Sequence, residues 1–377
     1  MFNRKTWKNF DVILFLTTVL IFGIGLTLLH SATYQQSYKH SGLLPQGFLL
    51  RQLLWFALSL LIGVVILKVD YKKWLELAYP LYGLNLVLLV LVLVFGEGRL
   101  GAQRWISLGN ITFQPSEFSK LVIIFILARY LGQRAGKASR NLSAHSNFNC
   151  GKALATSFLI VSIPFLLIVK QPDLGTALTL IPVLLAILYV WGAPLRPLLL
   201  IFLSGVLSSP LLWHFLKPYQ KRRILVFINP NIDPLGAGYT IIQSKIAIGS
   251  GGLFGKGWLA GTQNQLNFLP ERHTDFIFSV VGEEWGFAGA TLLIFLYLVL
   301  IWRAFSIARG TANSYGRLLA CGIIALLSFQ IVINIAMTMG LVPVVGLPLP
   351  LISYGGSSLL TTMISISFLL SIGMRRT

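Results

Sequence analysis

The sequence predicts an all-α integral membrane protein of about ten transmembrane helices, with one long extracytoplasmic loop between spans 7 and 8. Three observations carry this. Only 11% of the 377 residues are charged and 55% are hydrophobic, against about 25% charged in ordinary soluble domains; the mean hydropathy is +0.78. Apolar runs close to the length of a membrane span recur from one end of the chain to the other, which leaves no stretch to build a large soluble domain. Lysine and arginine gather in alternate connections, as the positive-inside rule requires. Residues 1–377 therefore read as a single polytopic domain.

Hydropathy windows of about 19 residues place the spans at 12–30, 53–67, 77–95, 118–131, 153–169, 174–191, 195–215, 287–302, 318–339 and 351–372. Several are short for a hydrocarbon core of about 30 Å, so their ends borrow neighbouring residues such as Glu117 or those just before Phe287. The first run follows Arg4, Lys5 and Lys8 like the core of a signal peptide. It is as long as a full span and lacks a small-x-small cleavage site, so it reads as a retained helix. Positive charge marks the N-terminus, Lys68/Lys72/Lys73, Arg134/Lys137/Arg140/Lys152, Arg196, Arg303/Arg309/Arg317 and Arg375/Arg376, which puts both termini in the cytoplasm.

The loop 216–274 then lies outside. It holds Lys217, Lys221, Arg222, Arg223, Lys245, Lys256 and Arg272 against Asp233, Glu271 and Asp275. Charge alone favours a snorkelling rim over a headgroup site, because Lys and Arg at helix ends usually snorkel. Nucleic acid is not expected, since the basic residues are scattered and form no basic-aromatic platform. Two cysteines, Cys150 and Cys321, exclude a disulfide framework and a Cys-based metal site.

Several polar motifs interrupt the apolar background. Arg51 precedes the second span, and "GAQRWISLG" sets Arg104 and Trp105 in an outer loop; each suits phosphate contact or interfacial anchoring. "FQPSEFSK" places Glu117 and Lys120 three residues apart on one helical face. Glu117 can simply complement a helix N-terminus, but Lys120 gains nothing there and costs up to about 3 kcal/mol deep in lipid. A pair facing the bundle interior and an anionic ligand accounts for both. Asp173 in "KQPDLGTAL" is as suited to an N-cap as to a site.

In the long loop, "YTIIQSKIAI" predicts a short amphipathic helix. "GSGGLFGKG" surrounds Lys256 with five glycines, either a flexible turn or a backbone that can approach a phosphate. "NFLPERHTDFIF" gathers Glu271, Arg272, His273 and Asp275 where the chain re-enters the membrane, and capping by Thr274 or Asp275 would use one of them, not four. Arg272, one turn before Asp275, is expected to lower its pKa and desolvation to raise it. Glu283 and Glu284 follow within an apolar run, as structural, proton-related or site residues. "PLISYGGSSLL" opens the last span with small residues that signal close helix packing. A carboxylate at the outer boundary, backed by cations, fits a general base acting on a hydroxyl beside a phosphate-bearing lipid.

Taken together, "KPYQKRRI", "DPLGAGYTIIQSKIAIGSGGLFGKGW", "GTQNQLNFLPERHTDFIFSVVGEEWGF", "GAQRWISLG", "FQPSEFSK", "QPDLGTA" and "LVPVVGLPLPLISYGGSSLL" resemble the SEDS family over nearly the whole chain. "LPERHTDFIF" and "GLPLPLISYGG" are closer to its elongation member than to its division member. The resemblance implies a ten-helix fold and a peptidoglycan glycosyltransferase that polymerises lipid II at the outer face of the bacterial cytoplasmic membrane. It implies Asp275 as catalytic, and Glu117, Lys120, Arg51, Arg104, Lys256 and Arg272 as substrate-binding. It also implies help from a divalent cation, Mg²⁺ or Mn²⁺, with no metal ligands assigned. The implied partners are lipid II and the nascent glycan, a class B penicillin-binding transpeptidase, and other elongation-complex proteins. One departure is Trp285 in "GEEWGF", where a Leu-like residue is expected. Two rival readings stay open, a lipid II flippase and a non-catalytic scaffold for the transpeptidase. A flippase should show inverted repeats, and no clear internal repeat is visible.

Overall fold

Aspartates start several of the helices. Asp11 accepts the Leu14 N–H at 2.9 Å, Asp70 the Lys72 N–H at 2.9 Å, and Asp173 the Thr176 N–H at 3.4 Å, each satisfying a donor that the first helical turn leaves free. The computed structural model describes residues 9–41, 46–99, 102–108, 111–140, 150–207, 210, 213–214, 216–234 and 236–376. In chain order these form α1 (Val12–Ser41), α2 (Gln46–Lys68), α3 (Tyr71–Glu76), α4 (Ala78–Phe95), β1 (Glu97–Arg99), β2 (Ala102–Leu108), β3 (Ile111–Phe113), α5 (Pro115–Arg140), α6 (Cys150–Lys170), α7 (Leu174–Trp191) and α8 (Leu195–Leu207). After them come α9 (Pro218–Ile228), a 3₁₀ turn (Pro230–Ile232), α10 (Ala237–Ser250), α11 (Thr262–Gln265), α12 (Ile277–Glu284), α13 (Gly286–Arg309), α14 (Ser314–Thr338) and α15 (Gly356–Met374).

The helical membrane fold is as expected. Among the described residues eight helices are long and apolar enough to cross a membrane: α1, α2, α4, α6, α7, α13, α14 and α15. The other two expected spans differ in kind. Span 118–131 falls inside α5, whose Glu117, Lys120, Arg129 and Arg134 dilute its hydropathy; α5 sits at the centre of the bundle against α4, α6, α7, α14 and α15. Span 195–215 covers α8, which is 13 residues long, and its residues 208–209, 211–212 and 215 lie outside the described residues. Outer helices such as α2 turn Leu54, Leu61 and Val65 outward, as lipid-facing positions should. The small residues opening α15 allow close packing on α2, where a Cβ on Gly356 would strike the Trp55 indole.

The stretch read as an outer loop around Arg104 is a three-stranded antiparallel sheet in the order β1-β2-β3, with Trp105 opposite Glu97 and Ile106 opposite Phe113. The expected helix at 239–248 is present within α10, which buries Ile241, Ser244 and Ala247 along one face. The glycine loop after it is neither a loose turn nor a phosphate cradle. Its Lys256 and Gly257 N–H groups donate to the carbonyls of Glu283 and Glu284 at 3.0 Å, and Phe287 and Ala288 donate back to Gly252 and Leu253 at 2.9 Å. Gly255 and Gly286 meet here with φ of +79° and +65°, and a Cβ on either would run into the other strand's backbone. The loop is thus laced onto the break between α12 and α13.

Candidate active site

The turn from Asn267 to Phe276 is held by its own carbonyl groups. Glu271, in the left-handed region at φ +49°, presents its C=O to the N–H groups of Thr274, Asp275 and Phe276 at 3.2, 3.1 and 3.3 Å. Three consecutive carbonyls are then gripped from outside. His273 C=O accepts the Tyr354 N–H at 2.9 Å, Thr274 C=O accepts the Ser353 hydroxyl at 2.5 Å, and Asp275 C=O accepts Nδ2 of Asn334 at 3.0 Å. Asn334 is fully buried and also donates to Leu347 C=O at 2.7 Å. Phe48 packs against His273 and Tyr354, with ring centroids 5.4 and 5.0 Å away. Burial pushes the His273 imidazole below its ordinary pKa. Neither Thr274 nor Asp275 caps the next helix: α12 begins at Ile277, and Phe276 at its N-cap makes no side-chain cap bond. The Asp275 carboxyl is left for other work.

It opens, half-buried, on a cavity of about 220 Å³ lined also by Arg223, Thr240, Glu271 and Val344. Gly346 faces it at φ +73°, where a Cβ would come 3.3 Å from Asp275 Oδ2, so glycine keeps that side open. Burial first, then the Glu271 carboxylate, pushes Asp275 up to about 6, while Arg223 and Arg104 pull the other way. The expectation that Arg272 lowers this pKa fails for a geometric reason. Its side chain is buried the other way, donating to Ala32 C=O at 2.7 Å and to Asn267. A carboxylate that ionises near neutrality, beside an open cavity, is a competent general base.

Arg104 stands on β2 with one guanidinium N–H on Pro172 C=O and another 3.8 Å from Asp173 Oδ1. Asp173 is tied as well to Gln114 Nε2 at 3.0 Å and Ser116 Oγ at 2.9 Å, so it serves both as the cap of α7 and as the anchor of Arg104. Tyr219 and Arg223 extend this cluster from α9; Tyr219 donates to Pro172 C=O at 3.3 Å. Beyond Arg223 and Val344 lies an apolar pocket of about 300 Å³ with Leu174, Leu178, Phe329 and Ile333 in its walls.

The other expected residues lie apart from this cavity. Glu117 and Lys120 face the bundle interior, as expected, and pair with each other at 2.7 Å while 3% and 1% exposed. Arg51 is exposed on α2. Lys256 donates to Glu283 Oε1 at 2.9 Å, and that fully buried carboxylate also accepts the Gln263 and Asn264 N–H groups at 2.9 and 3.2 Å. Glu284 accepts Asn264 Nδ2 at 3.0 Å and the Ser31 hydroxyl. Both glutamates tie the loop and α1 to α12, a structural use. Among the described residues no cluster of three or more His, Cys, Asp or Glu could hold a metal ion. Asp275 and Glu271 are the carboxylates lining the cavity, a set that suits Mg²⁺ only in company with a substrate's phosphate oxygens. Charge counting did not single out Arg223, because Lys221 and Arg222 directly precede it. The one signal in the sequence is Tyr219 a turn earlier, which puts a ring on the same helical face.

Comparisons with known proteins identify the family and the fold. Residues 11–377 match the FtsW/RodA/SpoVE family of cell cycle proteins. The peptidoglycan glycosyltransferase MrdB of Escherichia coli (strain K12) is 43% identical over 334 residues, covering 88% of this chain and 86% of that protein. A chain solved in a peptidoglycan synthase complex that coordinates polymerization and crosslinking superposes with a TM-score of 0.80 at 36% identity, covering 97% of this chain and 98% of that one. The rod shape determining protein RodA of Thermus thermophilus superposes at 0.69 with 32% identity, covering 97% of each chain.

Proposed function

This chain belongs to the FtsW/RodA/SpoVE family, and on that premise we propose that it joins lipid II disaccharides into β-1,4 glycan at the outer face of the bacterial cytoplasmic membrane, with Asp275 as the general base. It is a multi-pass membrane protein and a peptidoglycan glycosyltransferase, one that serves cell shape. Asp275 carries the reading. It is a carboxylate on a backbone whose carbonyls are gripped from outside, at the rim of a cavity, with an ionisation raised to about 6.

The chemistry follows from that placement. The acceptor's 4-hydroxyl oxygen bonds to the donor's anomeric carbon while its proton passes to Asp275. The bond from that carbon to the diphosphate oxygen breaks, and its electron pair leaves with undecaprenyl diphosphate. In-line attack on an axial diphosphate inverts the centre and gives the β link. At pH 7 a group with this pKa is roughly nine-tenths ionised and still basic enough to take the proton.

Arg104, held on Pro172 and Asp173, is within electrostatic reach of Asp275 and offsets charge on the departing diphosphate from a distance, without gripping it. Glu117 with Lys120, and Arg51 at the outer end of α2, bear on lipid II binding. Glu271 is the cavity carboxylate that would help to hold a divalent cation, Mg²⁺ or Mn²⁺, which would neutralise charge on the diphosphate when bound. Both termini are cytoplasmic, and the partner is a class B penicillin-binding transpeptidase that cross-links the product.

The test is lipid II polymerisation by purified protein with its transpeptidase, reading glycan chains on a gel. Chains from wild type and none from Asp275→Asn are expected. Equal chains from both would remove Asp275 as the base, and transport of lipid II across vesicles without polymer would favour a flippase.

A further inference from the structure

The polar cavity and the apolar pocket meet at one charged side chain. Arg223 and Val344 line both. Arg223 is half-buried; its Nη1 donates to Val344 C=O at 3.1 Å, and its guanidinium lies 6.0 Å from the centre of the Tyr219 ring. Neighbouring arginines are already engaged. Arg104 holds Pro172 and Asp173, and Arg222 pairs with Asp233 at 2.7 Å. Arg223 has no carboxylate within 4.0 Å among the described residues. A guanidinium has five N–H donors, so most of those of Arg223 remain for something that enters the cavity.

Reaction geometry says what that is. In-line displacement puts the base and the leaving group on opposite faces of the reacting carbon. A cation that serves the leaving group must therefore share the base's cavity without touching the base. Arg223 and Asp275 meet that condition, lining one chamber with no ion pair between them. The leaving group is also the diphosphate ester of a hydrocarbon chain, so its lipid-side phosphate belongs where polar chamber passes into apolar pocket. Arg223 stands at that passage, with Leu178, Ile224, Phe329 and Ile333 beyond it.

We propose that Arg223 grips the donor's diphosphate, with the first units of the lipid chain in the apolar pocket, and so sets the anomeric carbon in front of Asp275. The ligand's identity rests on the polymerase reading, but the test does not need turnover. Binding of undecaprenyl diphosphate to the purified full-length protein in detergent is measured for wild type, Arg223→Gln, Arg223→Lys, Arg222→Gln and Asp275→Asn.

Arg223→Gln should weaken binding at least about ten-fold, and Arg223→Lys should recover part of the loss, because a lysine keeps the charge without the two-pronged contact. Arg222→Gln should stay within about two-fold of wild type, and Asp275→Asn, which removes a negative charge from the same cavity, should not weaken binding. Leu178→Trp, which fills the apolar pocket and alters no charge, should weaken undecaprenyl diphosphate and leave inorganic pyrophosphate unchanged, and it carries the test if Arg223→Gln does not fold. Unchanged binding in Arg223→Gln, or equal losses in Arg223→Gln and Arg222→Gln, would overturn the assignment, as would a Leu178→Trp protein that binds both probes like wild type. Loss of binding in Arg223→Gln alongside an Asp275→Asn that still polymerises would refute the base and keep Arg223.

Discussion

Replacing Glu283 by alanine should loosen the loop that leads into the active-site turn. The carboxylate is fully buried and accepts four hydrogen bonds, from Lys256 Nζ at 2.9 Å, the Thr262 hydroxyl at 3.2 Å, and the Gln263 and Asn264 N–H groups at 2.9 and 3.2 Å. Alanine strands the two backbone donors, at about 1–3 kcal/mol each. Lys256, with 27% of its side chain exposed, can return to water and adds little. The expected loss is about 2–5 kcal/mol, overlapping what breaking a buried pair costs. Glu283→Gln keeps an acceptor for the N–H groups and should lose about half as much. The assay is thermal unfolding in detergent, followed by the monodisperse fraction on a sizing column. Lys256→Met combined with Glu283→Gln should cost less than the two singles together, since neither partner is then left as an unpaired charge. A Glu283→Ala protein that melts within about 1 °C of wild type would refute the reasoning, because a change of this size moves a melting point by several degrees.

Other expectations follow from the same geometry. Because burial raises the Asp275 pKa from 3.8 to about 6, its charged form costs the folded state stability in full above that pH, and the cost declines as pH falls from 6 to 3.8, below which it is gone. Asp275→Asn should therefore be more stable than wild type at pH 7.5, by roughly 1–3 kcal/mol after allowing for partial exposure, with the gain falling to about half near pH 5 and vanishing only below about pH 4 on the same unfolding assay. Asn334→Leu strands the Asp275 and Leu347 carbonyls and should cost about 2–4 kcal/mol and lower kcat for polymerisation more than it raises KM. Gly255→Ala forces a Cβ into the Glu284 carbonyl at a positive φ; the yield of folded protein should collapse, while Gly252→Ala, with open space around it, should cost no more than the strain of its own φ of about 1–2 kcal/mol.

Much of this molecule was legible as sequence. Hydropathy located the spans because lipid forces each to satisfy its backbone internally, and the charged turn stood out because charge is rare elsewhere. What escaped did so for physical reasons. The sheet at 97–113 is made of strands only 3, 7 and 3 residues long, too short to display a period of two. The span at 118–131 was legible even though central α5 carries charge that a hydropathy scale penalises, of which Glu117 and Lys120 pair inside the bundle. Lys256 among glycines suggested a phosphate, whereas the glycines serve the close approach of two backbones and the lysine a buried glutamate. Arg272 looked like Asp275's neighbour only on the assumption that the helix had begun. It starts at Ile277, and the turn before it sends the two side chains apart. Arg223 needed the fold itself, since only packing shows which of three consecutive cations faces inward.

The most direct test of the central claim is the rate of lipid II polymerisation as a function of pH, between about 5 and 8, for wild type, Glu271→Gln and Asp275→Asn. The wild-type rate should fall on the acid side through one ionisation near 6. Removing the Glu271 charge, which raises that ionisation, should move the fall to lower pH. Asp275→Asn should be slower by at least about a hundred-fold, with no such inflection. An acid limb that stays in place in Glu271→Gln and survives in Asp275→Asn would mean that another group takes the proton.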